Sequence, residues 1–267
     1  QIMSRDPAVV APDTTLDDAV ALMDELDVRH LPVVDDGRVV GVVSDRDLLS
    51  AVGWAPPDRT RAIPHAGTVK DVMHVDVTLC APEDTVVTAA VDFVLHAIGC
   101  LPVVSDDALV GIVTDMDMLA AYSLAARDGS LEGDIDPPVS EHMTAEPLTV
   151  RSGTSLGEAT AICQRIHVRH LPVVDGGTLV GILSDRDLRG AAGAGRPQDL
   201  TVDTIMTCES LTVTPDEKLS RAAELMYTFK ISALPVLDGE SVTGIVTLTD
   251  VLDHCMNTLR EPEPGLG

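Results

Sequence analysis

Aromatic side chains are nearly missing from this sequence: one Trp, two Tyr and two Phe make up 2% of 267 residues. A core must therefore be aliphatic, and with 45% apolar content the chain has enough material for a sizeable one. Basic residues are scarce as well. Eighteen stand against 43 acids, a net charge of −25, and only Lys70, Lys218 and Lys230 are lysines. A field of that sign repels phosphate backbones and anionic lipid headgroups, which argues against nucleic-acid and membrane partners. No apolar run nears the roughly 18 residues of a membrane span and no signal peptide is visible, so a cytoplasmic location is expected. Gln1 in place of Met is expected to mark a trimmed start. The five cysteines (Cys80, Cys100, Cys163, Cys208, Cys255) are odd in number, widely spaced and without a CxxC pair. They speak against a disulfide framework or a zinc site and for reduced thiols packed as small hydrophobes. The sequence also lacks a P-loop, a GxGxxG, a nucleophile elbow and a Cys/His nucleophile arrangement, so no catalysis and no catalytic cofactor or metal is expected.

What the sequence has is repetition. Leu-Pro-Val occurs four times, with its proline at Pro32, Pro102, Pro172 and Pro235. Each copy is followed by a Ser/Thr-x-x-Asp tetrad: Ser44 to Asp47, Thr114 to Asp117, Ser184 to Asp187, Thr247 to Asp250. VRHLPVVD at 28–35 returns letter for letter at 168–175, and SDRDL at 44–48 returns at 184–188. Copies one and three are offset by 140 residues at both landmarks, copies two and four by 133, so the chain is a duplicated pair.

Each copy reads as β-α-β-β-α. In the first, 8–10 is extended, Thr14 or Thr15 caps a helix, and Leu16, Ala19, Val20, Met23 and Leu26 follow helical spacing. Apolar runs at 31–34 and 39–43 flank the turn Asp35-Asp36-Gly37, a hairpin signal, and Ser44 caps a second helix from about Asp45. The same helix face is filled by Val86, Ala89, Ala90, Phe93 and Val94 in copy two, and by Leu219, Ala222, Ala223, Met226 and Phe229 in copy four. A unit of about 50 residues is marginal alone, so two units per folding module is the natural count. The expected divisions are repeat 1 at 1–53, repeat 2 at 68–127, a linker at 128–138, repeat 3 at 139–190, repeat 4 at 200–258 and a tail at 259–267. The pairs are then 1–127 and 139–258.

These marks resemble the cystathionine β-synthase (CBS) domain family, and the resemblance runs from roughly Ile2 to Asn257. It implies an α+β chain of four β-α-β-β-α CBS repeats arranged as two CBS-domain pairs, or Bateman modules. It further implies a regulatory module whose clefts hold adenine-containing ligands: AMP, ADP, ATP or S-adenosylmethionine.

The tetrad has its own physics. A Ser or Thr at the strand-to-helix junction stands beside free backbone N–H groups, a seat for an anion, so Ser44, Thr114, Ser184 and Thr247 suit phosphate. An Asp three residues on can accept both hydroxyls of a cis-diol with its two oxygens, so Asp47, Asp117, Asp187 and Asp250 suit ribose. The competing reading is a capping box, in which Asp returns to the backbone of the cap. Copies one and three add Arg29-His30 with Arg46, and Arg169-His170 with Arg186, in a chain with few bases. Arginine suits bidentate phosphate contact and histidine adds a donor; surface ion pairs with neighbouring Asp are the alternative. Copies two and four carry small residues instead. By resemblance to the γ subunit of AMP-activated protein kinase, Ile231-Ser232-Ala233 is an adenine platform and Ile98-Gly99-Cys100 its counterpart. One cleft per pair is expected, with the base on copy two or four and ribose and phosphates on copy one or three. His167 and His170 mimic a metal pair, but no fixed carboxylate accompanies them.

The expected function is thus a non-catalytic sensor of small-molecule nucleotides that signals to a regulated protein. The alternative is a ligand-free assembly scaffold, in which CBS pairs join as a homodimer or close a disc within one chain. A third reading is a detached regulatory part of a larger enzyme or transporter.

Overall fold

The computed structural model describes residues 2–52, 67–128 and 136–258. Most of the stretch at 54–67 and of the linker at 128–138, and the whole of the tail at 259–267, lie outside the described residues. Repeat 1 comprises β1 (Ser4–Arg5), α1 (Leu16–Leu26), β2 (His30–Asp35), β3 (Arg38–Ser44) and α2 (Asp45–Val52). Repeat 2 supplies α3 (Val86–His96), β4 (Cys100–Ser105), β5 (Ala108–Thr114) and α4 (Asp115–Asp128). Repeat 3 runs through β6 (Thr144–Ala145), β7 (Val150–Arg151), α5 (Leu156–Ile166), β8 (His170–Asp175), β9 (Thr178–Ser184) and α6 (Asp185–Gly193). Repeat 4 ends the fold with β10 (Thr207–Cys208), α7 (Leu219–Phe229), β11 (Ala233–Asp238), β12 (Ser241–Thr247) and α8 (Leu248–Thr258).

Local chemistry sets these boundaries. Thr15, Thr85 and Ser155 start α1, α3 and α5 by accepting the backbone N–H of Asp18, Thr88 and Glu158 at 3.1, 3.1 and 3.2 Å. Lys218, at the same place in repeat 4, has no side-chain oxygen. Asp136 supplies the cap from outside, accepting the Ser220 N–H at 2.9 Å and its hydroxyl at 2.8 Å. All four helices end on a left-handed residue that is not glycine: Asp27, Ala97, His167 and Lys230, with φ between 51° and 56°. That turn reverses the chain directly into the hairpin. Leu26 and Phe229, expected on buried helix faces, are 46% and 56% exposed, because each is the last helical residue before this reversal.

The repeats pair by exchanging their lead-in segments. β1 of repeat 1 pairs with β5 of repeat 2, while His74 of repeat 2 bridges Val42 on β3 of repeat 1. In the second half, β6 pairs with β12 and β10 with β9. A glycine in each receiving strand makes room. A Cβ at Gly41 would stand 2.7 Å from Met73 Sδ, and one at Gly111 2.8 Å from Met3 Sδ. At Gly181 it would meet Met206 Sδ at 2.9 Å and the Thr207 carbonyl at 2.7 Å; Gly244 faces Met143 in the same way. The methionine of one repeat thus occupies the side-chain position that the other leaves open.

The two pairs then close on each other through two unlike seams. α4 packs against α7 and α8, and α3 against α8, so repeats 2 and 4 share one continuous core that includes Leu119, Met226 and Leu252. Repeats 1 and 3 keep separate cores around Leu31 and Leu171 and meet through α2 and α6. Cys80, Cys100, Cys163 and Cys255 are buried free thiols, whereas Cys208 is exposed on the short strand β10.

Candidate functional site

Every tetrad closes on itself first. Asp47 Oδ2 accepts the Ser44 N–H at 2.9 Å and the Ser44 hydroxyl at 2.6 Å. The same two bonds join Thr114 to Asp117 (2.8 and 2.7 Å), Ser184 to Asp187 (2.8 and 2.6 Å) and Thr247 to Asp250 (2.6 and 2.7 Å). The carboxylate arm of a capping box is therefore present in all four copies, with the return bond to the hydroxyl from the N–H of Asp47, Asp117 and Asp187, and it changes what the carboxylate can offer. Oδ2 already accepts two protons, so a cis-diol must be gripped by Oδ1 alone rather than by both oxygens. Among the described residues the Oδ1 atoms of Asp117, Asp187 and Asp250 accept no hydrogen bond, while that of Asp47 lies 3.1 Å from Nε2 of the exposed His74. The four hydroxyls likewise point to their own Asp, and in copies one and three the N–H groups behind them are taken too: Asp45 and Asp185 donate to the Arg29 and Arg169 carbonyls, and Asp47 and Asp187 to the Ser44 and Ser184 hydroxyls, so a phosphate there would meet arginine first.

The basic residues of copies one and three come together across the α2–α6 seam. Arg46 pairs with Asp185 at 3.4 Å and Arg186 with Asp45, a reciprocal exchange between repeats. Arg189 adds a bond to Asp185 at 3.4 Å and one to the Ser50 hydroxyl at 3.1 Å. The partners are thus not the neighbouring surface acids but a buried carboxylate, Asp45, and a largely buried one, Asp185. Arg29 reaches further and donates to the backbone carbonyl of Lys230 in repeat 4, while the Lys230 ammonium pairs with Asp27. Arg169, on the same wall, stays exposed. The groups also feel one another's charge. Arg29 is lowered from its usual range by burial and then by Arg186; Arg169, though exposed, is lowered by the partial desolvation of its guanidinium and then by Arg46. Burial above all, with the arginines adding to it, drives His30 and His170 down to about 4, so both are neutral at pH 7. Burial raises Asp115 to about 6 and Asp45 in the same direction, against the pull of the guanidiniums.

The small-residue segments stand directly opposite. A Cβ on Gly99 would lie 2.5 Å from His30 Nε2, so the imidazole rests on the Gly99 backbone. His170 Nε2 and the Ser232 hydroxyl share a hydrogen bond of 3.0 Å. Cys100 and Ala233 are buried at the strand starts, with Ile98, Gly99, Ile231 and Ser232 half-buried beside them. Burial raises the Cys100 thiol to about 12, so it stands there as an apolar surface. Copy one's basic pair thus faces copy two's small residues, and copy three's faces copy four's.

Three acids at this centre escape a motif search aimed at the ends of the tetrad. Asp45, Asp115 and Asp185 follow the first tetrad residue in three copies, and the fourth has Leu248. That recurrence was the available signal. His74 and Lys230 left none, since each belongs to a different repeat from the residue it meets. Two open recesses, of about 320 and 620 Å³, lie elsewhere, at the hairpin turns near Gly37 and Gly239. Among the described residues no three His, Cys, Asp or Glu gather in a way that could hold a metal, and no helix is long and apolar enough to cross a membrane. His167 sits at the left-handed end of α5 and His170 at the start of β8.

Comparison with known proteins gives a consistent result. The CBS domain family model matches residues 1–53, 69–124, 139–193 and 202–257. Protein MJ1225 of Methanocaldococcus jannaschii is 27% identical over 269 residues, spanning 92% of this chain and 94% of that one. The CBS domain-containing protein YhcV of Bacillus subtilis is 35% identical over 121 residues, 45% of this chain and 82% of its own. The crystal structure of MJ1225 shares the fold, with a TM-score of 0.75 at 24% identity over 95% of this chain and 98% of that one.

Proposed function

The chain belongs to the CBS domain family, and on that premise we propose that it is a non-catalytic sensor of adenine-containing nucleotides, AMP, ADP or ATP, with S-adenosylmethionine as the other candidate ligand. Its working units are the pairs 1–127 and 139–258. In each, the base takes the place on Ile98-Gly99-Cys100 or Ile231-Ser232-Ala233 that the imidazole of His30 or His170 fills without ligand, and ribose hydroxyls are held by Oδ1 of Asp47 or Asp187. Phosphate is taken by Arg29, His30 and Arg46, or by Arg169, His170 and Arg186, beside the hydroxyls of Ser44 and Ser184. Thr114 with Asp117, and Thr247 with Asp250, belong to the second cleft of each pair, where Arg29-His30 or Arg169-His170 stand opposite in place of small residues.

One observation carries this reading. In a chain of net charge −25, both Arg-His-Arg triplets converge on one partly buried centre. Stability alone does not call for that, since a buried ion-pair cluster is about neutral against an apolar seam such as the one between repeats 2 and 4. The assembly alternative has less to support it. The helix faces through which two CBS pairs would join are filled within this chain by α2 on α6 and α4 on α7. Thermal denaturation with AMP, ADP, ATP, NADH and S-adenosylmethionine tests the proposal. A hundredfold excess over Kd stabilises by about 2.7 kcal/mol, several degrees for a protein of this size. No shift with any of the five at millimolar concentration refutes it.

A further inference from the structure

We propose that His74 sets how strictly the first pair's cleft demands an intact ribose, because its imidazole takes one of the two places on Asp47 Oδ1 that a cis-diol needs. This rests on the nucleotide reading above and adds to it a difference in sugar selectivity between the two pairs.

Asp47 has little acceptor capacity to spare. Its Oδ2 accepts the Ser44 N–H and hydroxyl, so a diol has only Oδ1, whose two lone pairs match two hydroxyls. His74 Nε2 lies 3.1 Å from that oxygen. A carboxylate only accepts, so the ring nitrogen donates there and a single lone pair remains. An incoming ribose must then displace the imidazole or give up one hydroxyl contact. Asp187 is under no such constraint, since its Oδ1 accepts nothing among the described residues.

The backbone presents a side chain at this place in every repeat, and the sequence decides which one. The residue after each lead-in methionine pairs with the strand residue two before a tetrad: Ser4 with Ile112, His74 with Val42, Thr144 with Ile245, Thr207 with Ile182. Two backbone bonds to Val42, of 2.9 and 3.0 Å, hold His74 there. Its imidazole spans the gap to the acid; the shorter Ser4, Thr144 and Thr207 bond no tetrad Asp among the described residues. The His74 side chain is 74% exposed against 17% for Asp47, so the ring can swing into solvent while the acid stays.

The other charged groups around the pair are committed or shared. On α2, Asp45 and Arg46 bond Arg186 and Asp185, and on β3 the one charged residue, Arg38, bonds Asp107. His30 senses Asp47 but stays neutral, and Lys70, Asp71 and Asp76 stand on the segment that carries His74. Histidine gains its charge between about pH 8 and about pH 5, and a charged donor grips a carboxylate more firmly than a neutral one. The latch therefore tightens as pH falls.

Titration with AMP and 2′-deoxy-AMP tests this in Asp187→Asn, which keeps its helix cap and leaves Asp47 as the ribose acid. Adding His74→Thr, the residue found at 207, should raise the ratio of the two affinities by about two- to fivefold, the strength of an exposed pair of this kind. His74→Ser, the residue found at 4, should do the same. With His74 in place the ratio should climb from about pH 6 to about pH 8, and without it stay level. The phosphate's own ionisation near about pH 6 is common to both ligands and cancels. A ratio unchanged or lowered by both substitutions, or equally dependent on pH without His74, overturns the latch and leaves the nucleotide reading standing. Two undiminished AMP sites in Asp187→Asn overturn the ribose role of the tetrad acid and the latch with it. Absence of binding by AMP, ADP and ATP sinks the nucleotide reading itself.

Discussion

Asp187→Asn separates the cap that Asp187 forms from the ribose contact proposed for it. Oδ2 of Asp187 closes the helix start through Ser184, at 2.8 Å to its N–H and 2.6 Å to its hydroxyl, while Oδ1 accepts nothing among the described residues. Asn keeps one carbonyl oxygen, which the cap will claim, and turns an NH2 toward the cleft. The helix loses only the interaction of a negative charge with its N-terminus, about 0.3–1 kcal/mol. A ribose hydroxyl loses a charged acceptor, worth about 1.5–3 kcal/mol, or roughly 10- to 150-fold in affinity. Asp187→Ala removes both duties and adds a cap loss of about 0.5–2 kcal/mol to the same binding defect. Urea denaturation reads the first quantity and titration with AMP the second. A ligand change completes the cycle: wild type should lose a similar factor with 2′-deoxy-AMP, and Asp187→Asn should lose little more. Wild-type affinity in the Asn variant, or full additivity with the deoxy ligand, refutes the ribose contact and leaves Asp187 a cap alone.

Two further outcomes are expected. Gly181→Ala places a methyl 2.7 Å from the Thr207 carbonyl, a backbone atom that cannot step aside, so it should loosen β10 from β9 and cost about 1–3 kcal/mol in urea denaturation; an unchanged midpoint contradicts the strand exchange. His30 binds its proton at about 4 in the fold against 6.5 in the unfolded chain, so the unfolded chain takes up the extra proton between those values and stability falls as pH drops through that window. Asp115, raised from 3.8 to about 6, works in the opposite sense, and comparing wild type with His30→Gln removes it from the result. Between pH 7 and 4 the wild type should lose roughly 3 kcal/mol more than His30→Gln, and parallel curves count against a buried neutral imidazole.

The repeat unit was legible because its signals are local. Thr15 as cap, the turn at Asp36-Gly37 and the tetrad serines each act within four residues, and the structure places them as the sequence suggests. The strand exchange was not legible. Gly41 reads as an ordinary strand glycine until Met73, 32 positions on, is seen to fill its place. The helix-start Asp was half legible: spacing put its carboxylate at the right end of the helix, but nothing in the spacing could divide Oδ1 from Oδ2. Asp136 as the cap of α7 shows the same limit, for its partner Ser220 lies 84 positions away.

The difference between the seams comes down to two positions inside the tetrad. Copies one and three write Asp-Arg there (Asp45-Arg46, Asp185-Arg186), and α2 meets α6 through crossed ion pairs. Copy two writes Asp115-Met116 and copy four Leu248-Thr249; Met116 and Leu248 join the shared core of repeats 2 and 4. The consequences for mechanics differ. Separating α4 from α7 and α8 would expose close-packed side chains such as Leu119 and Met226, each fully buried and worth about 2–5 kcal/mol on truncation. Separating α2 from α6 trades guanidinium–carboxylate pairs for other anions, and a ligand phosphate is such an anion. On the proposed nucleotide reading, the energy that a phosphate brought to Arg46 or Arg186 would fall on the seam of exchangeable ion pairs and not on the close-packed apolar one.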